Sequence, residues 1–362
     1  MSGGIPRPVR AIPLAAVGLL LLAGLWGALA RVGWRVPVGG GDLVPAHGVL
    51  MTLGVLGTLI ALERAVASGW WWSFAGPIAA ALGAGGLALG ASVRSAQVLL
   101  LVGGVVVAAT LARLFALQPS LHGGALALGG CLWVGAVLVW WGTGSIPRAV
   151  PWLAAFLVLT IAAERLELSR LRRLEASARA AFLAAVGVVG LGLLVSLGSF
   201  ALGARAVGAG FVALALWLGT HDVARRTVRT GGLARFMALA LLAGYAWLAA
   251  AGVLWVGEAA VPGGPGRDAM LHALFLGFVM SMVFAHAPVI LPAVLGLAVV
   301  WRRSAYAPLA LLHVSLLGRV LGDLGGWPAL VRWMGMLNVL AIVLFLLDTA
   351  GTRLRSRRDV DV

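Results

Sequence analysis

Lysine is missing from this 362-residue chain altogether, so its 27 basic residues are all arginine. Cysteine occurs once, at Cys131. A single cysteine excludes an intrachain disulfide, a CxxC redox pair and CxxCH haem attachment. Charge is scarce, at 11% of residues, while 62% are hydrophobic and the mean hydropathy is +1.04. No water-soluble domain of this length has that balance, because its surface would need polar faces that the chain cannot supply. Phosphate-loop, HExxH, GxSxG and EF-hand patterns are lacking as well, which removes the common nucleotide, zinc-protease, serine-hydrolase and calcium classes.

What is present is a succession of apolar runs of about 20 residues, the length that crosses a bilayer as a helix. They are Ala/Leu/Val/Gly stretches without the alternation of a membrane barrel strand. The expected fold is all-α, a polytopic transmembrane bundle. Spans are expected over roughly 11–30, 44–62, 72–91, 96–117, 121–141, 150–166, 180–200, 204–220, 233–256, 269–301, 305–322 and 328–349. The first reads as an uncleaved anchor, since no A-x-A site with a polar mature domain follows it. The net charge of +15 belongs to arginines lying between the apolar runs, which points to loop charge and not to nucleic acid.

Arginine placement orients the bundle. With twelve spans, 19 of the 27 arginines share a side with the N-terminus, whereas splitting the long tenth run in two gives 15 against 12. Positively charged loops stay inside, so the sharper asymmetry favours twelve spans with both termini cytoplasmic. We therefore expect residues 1–362 to form one transmembrane domain in the bacterial inner membrane. Six spans cover 11–166, a basic cytoplasmic loop covers 167–179, six spans cover 180–349 and a basic tail covers 350–362. The lipid bilayer is the expected partner, and nucleic acid is not.

Chemistry rests on six histidines. The run 267–301 carries two of them, His272 and His286, with Pro288 and Pro292 just beyond. Fourteen residues on a helix give ~21 Å of rise and ~40° of azimuth, so one helix face presents imidazoles at two depths. Ionisable groups within a bilayer are costly and mark functional sites. Depth pairs His47 with His272, each about one turn inside the periplasmic face, and His286 with His313 near mid-membrane. Neutral imidazoles on facing helices suit haem iron or copper. All four are candidate metal ligands, and His47 and His272 are the candidate haem b ligands. His122 and His221 fall at cytoplasmic helix ends and read as hydrated structural residues. The pairs Glu63-Arg64 and Glu164-Arg165 end spans two and six and read as snorkelling interfacial residues. Asp323 is placed to pair with Arg319, one turn earlier.

Several segments together resemble the NnrS family of haem- and copper-containing membrane proteins. They are LHALFLGFVMSM (271–282), GYAWL (244–248) with the preceding HDVARRTVRT, and LLGRVLGDL (316–324) after His313. PAHGVLMTLG (45–54) resembles the family's His-Ala-His-Glu segment opening span two, with Pro45 in place of the first His and Gly48 in place of the Glu. The resemblance covers about a third of the chain, mostly 217–324. It implies a twelve-span protein that binds haem and copper and acts in the response to nitric oxide and nitrosative stress; with no covalent attachment motif in the chain, the haem is expected to be b-type. Nitric oxide or a periplasmic redox partner would meet it at the His47 and His272 level. Two other readings remain open: a twelve-span secondary transporter of the major-facilitator layout, and a diaheme electron carrier. The latter needs partner histidines about 14 residues apart on one other helix.

Overall fold

A computed structural model of the protein describes residues 7–37, 43–168, 174–258, 263–295 and 301–358, and it is helical throughout them with no strand. The helices are α1 (Arg7–Arg31), α2 (Leu43–Val49), α3 (Thr58–Ser68), α4 (Ala75–Ala88), α5 (Val93–Leu117), α6 (Leu121–Thr143) and α7 (Ile146–Leu168), followed by α8 (Ala176–Gly198) and α9 (Phe200–His221). Then come the short α10 (Ala224–Thr227), α11 (Gly232–Glu258), α12 (Pro265–His272), α13 (Met280–Leu295), α14 (Tyr306–Gly325) and α15 (Pro328–Arg358). Two π-helical segments, Leu50–Gly57 and Ala273–Val279, join α2 to α3 and α12 to α13 without a break.

The protein is a polytopic helical bundle. Eleven helices among the described residues are long and apolar enough to cross a membrane. They coincide with eleven of the twelve expected spans. The remaining one, 72–91, is a 3-10 turn at Trp71–Phe74 followed by the 14-residue α4. At about 1.5 Å per residue α4 rises only ~21 Å, and the turn adds ~8 Å, so the element just reaches the ~30 Å of a bilayer core. The tenth run is one uninterrupted helical span, Pro265–Val294, with Pro288 and Pro292 inside α13. The end of the expected tenth span, residues 296–300, and part of the expected 167–179 loop, residues 169–173, lie outside the described residues. The last span continues as helix to Arg358, into the segment expected to be a tail.

Helix ends follow local chemistry. Ser92 and Ser120 cap α5 and α6 by accepting the backbone N–H of Ser95 and Gly123. Pro265 occupies the first turn of α12, where a missing N–H costs nothing. Gly69, Gly144 and Gly326 close α3, α6 and α14 in the left-handed conformation that glycine adopts most cheaply.

The chain divides into two compact units, Met1–Ala163 with Ala293–Leu297 and Glu164–Pro292 with Ala298–Val362. In the first, α1 packs on α2 and its π segment, α4 on that segment and on α5, and α5 on α6. Trp133 of α6 is fully buried there, donating its indole N–H to the Leu100 carbonyl of α5 at 3.0 Å. In the second, α8, α9 and α11 pack in sequence, α11 lies against the π segment 273–279, and α14 packs on α12 and α15. Phe284 of α13 stacks on Phe345 of α15.

Candidate functional site

Asp268 and His272 share a face of α12, one helical turn apart. The His272 Nδ1 lies 2.9 Å from the Asp268 carbonyl and 3.2 Å from its carboxylate. Both oxygens only accept, so Nδ1 carries the proton and the lone pair stays on Nε2. Arg319 of α14 donates from Nε (3.2 Å) and Nη2 (2.8 Å) to the same carboxylate oxygen. Arg319 is 5% exposed and so is committed to this contact. The sequence suggests Asp323 as its mate; the structure gives Arg319 to Asp268 instead, because α12 packs directly on α14. Asp323 is buried beside them with its Oδ2 unpartnered.

His47 lies in the first unit. Its Nδ1 is 2.8 Å from the Gly24 carbonyl of α1, so it too donates from Nδ1 and keeps the lone pair on Nε2. The close approach of α1 and α2 depends on glycine. A methyl on Gly27 would lie 2.6 Å from the Leu43 carbonyl oxygen.

The two mid-membrane histidines are held differently. His286 donates from Nδ1 to the Met282 carbonyl at 2.8 Å, and its Nε2 faces the Arg165 Nη1 at 3.4 Å. A guanidinium N–H has no lone pair, so that nitrogen acts as an acceptor for Arg165. His313 accepts at Nδ1 from the indole N–H of Trp247 at 3.0 Å. The neutral ring must then carry its proton on Nε2, which is buried without a protein partner. Trp247 reaches this position by lying over Gly277 in the π segment, where a Cβ would sit 2.6 Å from the indole Cγ. His286 and His313 thus have separate partners, one on α7 and the other on α11. The helix-end histidines have local partners: Ser120 for His122, and Trp217 and Thr220 for His221.

One buried cluster escapes sequence reasoning. Arg165 is not an interfacial snorkelling residue. It is 3% exposed and forms a two-pronged pair with Asp222, at 2.7 Å from Nε and 2.9 Å from Nη2. The Tyr245 hydroxyl and the Ala224 backbone N–H also donate to Asp222, at 2.8 and 2.7 Å. The signal was present: Tyr245 is one of only two tyrosines, and it stands in the GYAWL segment. Glu63 and Arg64, by contrast, do pair with each other at 3.1 Å and remain partly exposed.

These four candidate histidines can be sorted by proton position. A histidine that binds metal through Nε2 commonly donates Nδ1–H to a carbonyl or carboxylate. His47 and His272 have that arrangement. In His286 the Nε2 faces a cation, and in His313 the Nε2 carries the proton. Among the described residues no three of His, Cys, Asp and Glu converge as a metal-ion site.

A sequence model of the family described as "Domain of unknown function (DUF8744)" matches residues 10–354, and the chain belongs to that family. No curated protein matches the chain.

Proposed function

We propose that this membrane protein holds a b-type haem and acts in the bacterial response to nitric oxide and nitrosative stress, in the inner membrane. The observation that carries the reading is the Arg319–Asp268–His272 chain, which fixes an imidazole tautomer with its lone pair on Nε2. His272 would hold the haem iron through Nε2, and His47, with the same tautomer, is a second candidate ligand. Asp268 holds the His272 ring and its tautomer, and Arg319 holds Asp268. A bound haem iron supplies an electrophilic site for a diatomic ligand. Copper, the second metal that the sequence resemblance implies, is left out of this reading, because a haem asks for one or two protein ligands and a copper site for more.

The test is purification from cells supplied with iron and a haem precursor, followed by haem extraction and optical titration with nitric oxide. The reading expects about one equivalent of non-covalent haem per chain, with a reduced spectrum that shifts on adding nitric oxide. Protein that is folded but holds under a tenth of an equivalent of haem would overturn it. The transporter reading would then take its place, with the buried Arg165–Asp222 pair as the intramembrane charge to test.

A further inference from the structure

Helix α5 carries an arginine near each end, and each guanidinium lies over a tryptophan ring. Arg94 is 4.6 Å from the Trp141 ring centroid, and Arg113 is 4.4 Å from that of Trp70. Nineteen residues separate the two arginines, which on a helix is ~28 Å, close to the ~30 Å of a bilayer's hydrocarbon core. Arg–Trp pairs at that spacing sit at the two headgroup levels, where amphipathic rings and cationic heads collect.

The two pairs differ in what their donors do. Arg94 is occupied within the protein, giving Nη1 to the Trp141 carbonyl at 3.0 Å and to the Gln97 side chain at 3.2 Å. Arg113 is exposed and has no hydrogen-bond or carboxylate partner among the described residues. The indole face holds its guanidinium plane by cation–π attraction, and a planar fork of five donors suits the oxygens of a phosphate. The apolar surface around it is that of a lipid site. Trp71, in the turn that packs on α5, is 84% exposed, and Val102 and Val105 are exposed on the membrane side of Arg113. Trp70 itself stacks on Trp72, which steadies the ring under the cation.

We propose that Arg113, seated on Trp70, binds the phosphate of an anionic phospholipid headgroup, with the acyl chains running along Val105 and Val102 toward the membrane centre. Arg94 serves only as an internal anchor at the opposite face. The site lies wholly in the first unit and is independent of the haem reading.

Native mass spectrometry of the purified protein, given equal amounts of phosphatidylglycerol and phosphatidylcholine, tests it. The wild type should retain phosphatidylglycerol preferentially. Arg113→Gln should lower that retention about fivefold, the effect of one cation near a membrane surface. Arg94→Gln should retain as much as the wild type, and Arg113→Lys should recover part of the loss. An excess of inorganic phosphate should not displace the lipid; if it did, a free anion site would replace the headgroup site. Equal retention by wild type and Arg113→Gln, with both proteins eluting identically on size exclusion, would show annular lipid only and overturn the proposal. So would equal retention of the two lipids by the wild type.

Discussion

The two compact units use polar side chains in opposite ways. In the first, the enclosed polar groups reach mostly to backbone: His47 to the Gly24 carbonyl, Trp133 to Leu100, Thr110 to Val106. An ion pair there, Glu63–Arg64, is between sequence neighbours and is partly exposed. In the second, several side chains also meet side chains across helices. Asp222 gathers Arg165 and Tyr245, Asp268 gathers Arg319 and His272, Trp247 holds His313, and Asn338 donates to Ser315. A backbone carbonyl orients the His47 ring, and a carboxylate that Arg319 holds in turn also orients that of His272. The two histidines share a local device, since each stands just before a π-helical segment. Such segments are uncommon and gather at functional sites.

The comparison breaks most readily at Asp222. Removing one partner of a buried ion pair leaves the other charge stranded in a medium that cannot solvate it, at a cost of about 3–5 kcal/mol. Asp222→Ala should therefore lower the thermal unfolding midpoint in detergent sharply or prevent accumulation in the membrane. Glu63→Gln in the first unit should cost less, because Glu63 and Arg64 are partly exposed and water can screen the charge left behind. Equal losses from the two substitutions would remove the contrast.

Next in size is the support of His272. Asp268→Asn keeps the backbone acceptor but withdraws the carboxylate, and outer-shell changes of that kind weaken metal binding about 10–100-fold. Haem retention during dilution should fall accordingly. Gly24→Ala, which crowds Met51 beside the carbonyl that holds His47, should lower retention much less. A larger loss from the first-unit change would place the dominant ligand there.

A smaller effect is expected at the indole–imidazole bond. Trp247→Phe removes one neutral hydrogen bond, worth about 0.5–1.5 kcal/mol. In histidine-labelled protein, nitrogen NMR should show His313 as the Nε2–H tautomer in the wild type and a loss of that single state in the variant. An Nδ1–H tautomer in the wild type would contradict the assigned geometry.

Much of the fold was legible because bilayer thickness imposes one length on every span, and composition alone reveals it. Eleven runs matched helices for that reason. The third run is a 3-10 turn followed by a helix of only 14 residues, and the two together just span the bilayer core. Pro288 and Pro292 left open a break in the tenth run that the structure does not make. Of the site, the histidines were legible, because ionisable groups are scarce and costly in a bilayer. The one-turn period between Asp268 and His272 is a signal that the sequence reading leaves unused. Arg319 and Asp222 find their partners 51 and 57 residues away in sequence. Depth ranks such residues but carries no azimuth, so Arg319 was matched with its nearest carboxylate, Asp323, and Arg165 with the interface.

The central claim is that His272 is the ligand and that His286, on the same helix, is not. Reduced-minus-oxidised optical spectra of the wild type, His272→Ala and His286→Ala, purified under one protocol, test it directly. The account predicts a b-type haem spectrum in the wild type, its near-complete loss in His272→Ala with the protein still folded in the membrane, and its persistence in His286→Ala. An unaltered spectrum at full haem occupancy in His272→Ala would contradict the account.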